Sequence, residues 1–98
     1  RAPLAHTAYA REPVEHPRAR AYRVAAPPGG AAGPADWGFS GVVIALCGRP
    51  AVAAAGAALG GRGPLVPGDA VWFDGPVAGV DVTDTGGSGA ELLVVEWL

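Results

Sequence analysis

A glycine or proline turn interrupts this chain every few residues, and that punctuation limits what it can fold into. There are 16 Gly and 10 Pro among the 98 residues. In the second half they separate short apolar runs at the roughly 8–12-residue spacing of small β domains. No amphipathic helix of useful length fits between them. The pattern predicts about seven or eight short strands in an all-β sandwich or barrel. So much Gly and Pro also approaches the composition of low-complexity disorder. Disorder is excluded by a net charge of only -2 and by the apolar runs themselves. A chain of this length can hold one modest core, burying roughly 60–65% of its unfolded surface.

Residues 1–18 carry Pro3, Pro13 and Pro17 and no helix or strand period, so they are expected to form an extended N-terminal segment or linker. Residues 19–98 are expected to form a single β domain. ARAYRVAA (19–26) reads as its first strand. PPGGAAGPADWG (27–38) reads as a loop from its Pro-Pro, Gly-Gly and Gly-Pro pairs. VVIALC (42–47), bounded by Gly41 and Gly48, reads as a strand buried on both faces. AVAAA (51–55) is either a weak strand or one helical turn, and its position favours the strand.

Val66-Pro67-Gly68-Asp69 has the type II turn signature, with Pro first and Gly second at the centre, and predicts positive φ at Gly68. AVWF (70–73) is the clearest strand, with Trp72 and Phe73 on opposite faces. Val77 to Thr83 alternates, Gly86 to Gly89 forms a hairpin tip, and LLVVEW (92–97) is the last strand.

Composition removes several functions. The chain has no Lys, hence no phosphate-loop or Schiff-base lysine. A pI near 5.5 argues against nucleic acid. Arg1, Arg11, Arg18, Arg20 and Arg23 cluster early, but Glu12 and Glu15 interleave with them, as in a solvated or interface segment. Gly48-Arg49-Pro50 and three later glycines break the long apolar stretch from Phe39 to Gly61, so no membrane span is expected. With no signal segment, a cytoplasmic location is expected. The single Cys47 excludes an internal disulfide. At the end of an apolar strand it is expected to be buried and unreactive.

Few residues offer chemistry. His6 and His16 lie near Glu12 and Glu15, but Pro13 and Pro17 break any regular ligand spacing, and they read as surface histidines. Ser88 sits in a Gly-rich tip, not in a strand-to-helix elbow. Asp69, Asp74, Asp81 and Asp84 flank short strands and read as turn residues bonded to backbone. Tyr22, Arg23 and Trp72 are the candidates for a small-molecule site. Core packing and an interdomain face are the other reading of these aromatics.

The order of features in residues 41–98 resembles a cupin-type jelly roll, or double-stranded β-helix. LVPGDAVWF (65–73) is the marker: a Pro-Gly-Asp turn that re-aims the chain into an apolar strand. With VIALCG (43–48) and GPVAGVDVTDTG (75–86), the run is similar to the small C-terminal domain of type I mannose-6-phosphate isomerases. Metal-binding cupins place two His and a Glu on one strand and a further His after the Pro-Gly turn. Strands 42–47 and 70–73 carry neither His nor Glu.

The resemblance therefore implies a non-catalytic companion domain, with no cofactor of its own and zinc in the larger part of a parent isomerase. The alternatives are a free-standing degenerate cupin holding a small molecule in its barrel, and a structural or oligomerising β domain. Expected partners are the rest of a parent polypeptide or a second copy. The start at Arg1 and the absence of Met suggest the C-terminal part of a longer protein. An exposed apolar patch lined by Leu4, Tyr9 and one of the Trp residues is expected with it.

Overall fold

The computed structural model describes residues 10–16 and 18–97, with side chains from residue 18 onward. It contains β1 (Ala10–His16), β2 (Ala19–Ala26), β3 (Ala31–Trp37), β4 (Gly41–Cys47) and β5 (Pro50–Ala54). After these come β6 (Ala57–Ala58), a 3-10 turn (Leu59–Gly61), β7 (Ala70–Phe73), β8 (Val77–Asp84) and β9 (Ala90–Trp97). Five strands form one sheet in the order β1-β2-β9-β4-β7, and four form the other in the order β3-β8-β5-β6. Every paired ladder among them is antiparallel. This is the jelly roll that the turn spacing predicts.

Alternation along the strands builds the core between the sheets. On β2, Tyr22, Val24 and Ala26 are buried and Arg23 is exposed. On β9, Ala90, Leu92, Val94 and Glu96 are buried. On β8, Val80, Val82 and Asp84 point the same way. On β7, Phe73 points inward and Trp72 outward, as the AVWF strand requires.

The Val66–Asp69 turn also forms as expected. Gly68 has φ 94, and the Asp69 N–H donates to the Val66 carbonyl at 2.9 Å. The Val66 N–H donates back to the Asp69 carboxylate at 3.0 Å, and Arg62 reaches the same carboxylate at 3.2 Å.

Four expectations need correction. The segment before residue 19 is extended, but it also pairs with β2 as β1. Residues 31–37, read as loop, are β3. As the edge of its sheet, β3 tolerates Gly33 and Pro34 by slipping register twice against β8. On β4, Val43 and Ala45 are buried inward and Val42 is nearly covered outward, but Leu46 and Cys47 are exposed. Cys47 is therefore not buried. A bulge between Ala45 and Cys47 opposite β9 breaks the alternation and turns the thiol to solvent.

Candidate functional site

The barrel interior is where a jelly roll of this kind would hold a ligand, and here side chains fill it. Trp37 from β3, Phe39 from the β3–β4 connection and Phe73 from β7 form one cluster, with ring centroids 5.2–6.0 Å apart. Tyr22 from β2 joins it, 6.4 Å from Phe39. The contacts mix stacked and edge-on geometries, the arrangements that aromatic quadrupoles favour. Further along the barrel, Val43, Val52, Leu59, Leu65 and Val71 close together too tightly to admit a water molecule. A ligand in the barrel would have to displace these groups.

One carboxylate lies inside this apolar volume. Glu96 is 2% exposed, and the Tyr22 hydroxyl donates to its Oε1 at 2.7 Å. Arg20, its register partner across the β2–β9 ladder, lies on the same inward side. Gly41 stands opposite Glu96 on β4. A Cβ at Gly41 would strike the Val95 backbone, so the missing side chain lets the two strands close around the carboxylate. A buried carboxylate needs such partners, because leaving it unpaired costs far more than the bonds contribute. Tyr22 and Glu96 thus satisfy one another at one end of the barrel.

A second inward carboxylate closes the other end. Asp84 ends β8 and accepts N–H bonds from Gly29 at 2.9 Å, Gly86 at 3.0 Å and Gly89 at 2.9 Å. These donors, the Gly29 N–H foremost, hold its carboxyl below the ordinary aspartate value. A carboxyl depressed in the folded state stabilises the fold above its unfolded value. That contribution disappears as the pH falls below 3.8 and through the folded value. Asp69 and Asp84 are turn residues, as expected; Asp81 instead lies within β8, in register with Ala53 of β5.

The structure does not bring the three candidate ligand residues together. Tyr22 is buried in the barrel, whereas Arg23 and Trp72 lie on the outside of the sheet. Adjacent positions on β2 point to opposite faces, so no single pocket holds both Tyr22 and Arg23. Trp37, placed in a loop by its neighbours Gly and Pro, is a wholly buried core residue. Its indole N–H has no hydrogen-bond partner. A shallow crevice of about 250 Å³ lies beside it, between Asp36, Gly38 and Pro76–Ala78. Glu96 was also missed, although it continues the inward phase of Ala90, Leu92 and Val94. His6, Leu4 and Tyr9 fall outside the described residues, as does the side chain of His16.

No protein-family model matches the sequence, and no curated protein matches it. Solved structures do. A Cupin 2 conserved barrel domain protein from Salinispora arenicola superposes with a TM-score of 0.69 at 19% identity, covering 91% of this chain and 76% of the other. A cupin domain from Bordetella pertussis gives 0.68 at 16% identity, covering 91% of this chain and 93% of the other. This chain has the cupin fold. A structure described as a sugar phosphate isomerase from a cupin superfamily, from Silicibacter pomeroyi, gives 0.63 at 19% identity, covering 83% of this chain and 51% of the other.

Against that fold, the described residues of this barrel offer no ligand set for a metal. Among the described residues no three His, Cys, Asp or Glu side chains come together. At the Tyr22 end the phenol oxygen and Glu96 Oε1 are bonded to each other, and the Phe39 ring packs beside Tyr22. No described helix is long and apolar enough to cross a membrane.

Proposed function

We propose that this cupin domain has no catalytic machinery of its own and serves as the accessory jelly roll of a larger sugar-phosphate isomerase of the mannose-6-phosphate isomerase kind. The observation that carries this reading is the filled barrel, with Tyr22, Trp37, Phe39 and Phe73 standing where a cupin would bind substrate or metal. The choice of isomerase is supported by the run of VIALCG, VPGDAVWF and GPVAGV, which occupies β4, the turn into β7, and β8. In such an enzyme zinc assists proton transfer between C1 and C2 of the sugar phosphate, and its ligands belong to the larger part of the chain. The role left to this domain is to support that part with a rigid β scaffold.

The test has two arms. These 98 residues, assayed alone with added zinc, should not convert mannose 6-phosphate to fructose 6-phosphate. The gene should continue upstream of Arg1 into a zinc-bearing isomerase domain. Turnover by the chain alone, or an initiator codon immediately before Arg1, overturns the reading.

A further inference from the structure

The crevice beside Trp37 lies on the outside of the filled barrel. Asp36 and Trp37 are neighbours on β3, so they point to opposite faces, and Asp36 is exposed. A bulge opens the space. From Ala35 to Trp37, β3 advances two residues, while β8 takes three, from Val80 to Val77. The extra residue bends β8 locally. Gly79 turns the bulge with φ 64, a left-handed backbone that suits glycine. Its N–H donates to Asp36 Oδ1 at 2.9 Å. The same bulge that shapes the crevice therefore fixes a carboxylate in its wall.

Size, charge and hydrogen-bond geometry choose the occupant. The crevice holds about 250 Å³ between Asp36, Gly38 and Pro76–Ala78, with Trp37 behind it. That is below the roughly 300–1,000 Å³ of sites for drug-sized ligands, so it suits a compact molecule. Pro76, Val77 and Ala78 offer apolar surface to the body of such a molecule.

The surrounding charge has one sign. The strands of the four-stranded sheet carry Asp36, Asp81 and Asp84 and no basic residue. Asp74, also exposed, comes just before Gly75 and Pro76. No basic side chain is among the residues of the crevice wall. A cation is favoured there and an anion is repelled.

The bond to Gly79 narrows the choice of cation. With Oδ1 held by that N–H, Oδ2 is the oxygen left to meet a ligand. A guanidinium or amidinium fork needs both carboxylate oxygens, whereas an ammonium group is a point charge and needs one.

We propose that this crevice is a binding site for a small primary amine in its ammonium form, the charge on Asp36 Oδ2 and a short apolar body against Pro76, Val77 and Ala78. The site is separate from the barrel interior and stands whether or not the chain belongs to an isomerase.

Benzylamine at neutral pH, titrated into the 98-residue chain and followed by proton–nitrogen NMR, tests it. Saturable shifts are expected at the amides of Asp36, Gly38 and Val77–Gly79 and at the Trp37 indole. The dissociation constant should be on the order of 1–10 mM, as for a ligand of this size. The Trp72 and Trp97 indoles should not move. Benzyl alcohol, which lacks the charge, and benzamidine, which carries the fork, should each bind at least about threefold more weakly. Asp36→Asn keeps an oxygen for the Gly79 N–H and should weaken benzylamine about three- to fivefold, as for an ion pair open to solvent. Ala78→Phe fills the crevice without touching the carboxylate. Ala78 is exposed, so this variant should keep the spectrum of the parent elsewhere and lose the binding. Four results overturn the proposal: no saturable shift, shifts centred on Trp72 and Trp97, benzyl alcohol binding as well as benzylamine, or benzylamine affinity unchanged in either variant.

Discussion

The two faces of the five-stranded sheet are both apolar, yet they do different work. The inner face packs Tyr22, Phe73, Leu92 and Val94 against the second sheet and pairs the carboxylate of Glu96 with a tyrosine. The outer face carries two tryptophans, and among the described residues no second sheet lies above them. In a β domain this small, hydrophobic content alone does not locate the core. What separates the faces is polar accounting. The inner face satisfies a buried charge, as a permanent interior must. On the described part of the outer face the charged side chains, Arg23 and Glu91, are not buried.

The sharpest way to break this comparison is to truncate one tryptophan in the core that the inner face packs against, contributed by the opposite sheet, and one on the outer face. Trp37→Ala removes the centre of the interior cluster and should cost about 3–5 kcal/mol in denaturant unfolding. Trp72→Ala should cost under about 1 kcal/mol for the monomer, because its ring is mostly exposed. Equal losses would show that the two faces are not distinct.

Tyr22→Phe tests the polar half of the argument. It keeps the ring in the aromatic cluster and removes the hydroxyl that donates to Glu96. The expected loss is about 1.5–3 kcal/mol, the range for a hydrogen bond to a charged group. A neutral result would mean that Glu96 does not depend on this partner.

Gly68→Val tests how the faces are assigned. A Cβ at Gly68 meets nothing within 4 Å, so the cost comes from φ 94 alone. We expect about 1–2 kcal/mol, read from the denaturation midpoint. Gly68 donates its N–H to Ala45 at 2.9 Å and leads the chain into β7. A slip of one residue there would exchange Trp72 with Phe73 between inside and outside.

The smallest effect is expected at the bulge. Cys47→Ser should change stability by less than about 0.5 kcal/mol. The native thiol should react with a disulfide reagent without denaturant, since it is exposed. A thiol that reacts only after unfolding would place Cys47 back inside.

These residues also show what was legible in the sequence. The Pro67-Gly68 turn and the split of Trp72 from Phe73 are local properties of backbone geometry, and both were readable. β3 was not, because Gly33 and Pro34 are loop residues by every short-range rule. Only its position at the sheet edge allows them in a strand. The exposure of Cys47 depends on a bulge opposite β9, a partner distant in sequence. The candidate site fared worst. Tyr22 was singled out, but its partner Glu96 lies 74 positions away, and nothing near either residue signals the other. Trp72 and Arg23 were noticed for their chemistry, while their shared outward face emerges only from the ladder register.

β9 is the last strand in sequence, yet it lies at the middle of its sheet, hydrogen-bonded to β2 on one side and β4 on the other. Until it emerges during synthesis, β2 and β4 have no ladder to join them, and the five-stranded sheet exists only as its outer pairs. Long-range pairing of this kind slows folding and prolongs the exposure of strand edges. The nascent domain therefore gains little by starting early. Its five-stranded sheet assembles around the strand that comes latest in the domain, so the barrel is sealed only once β9 is available.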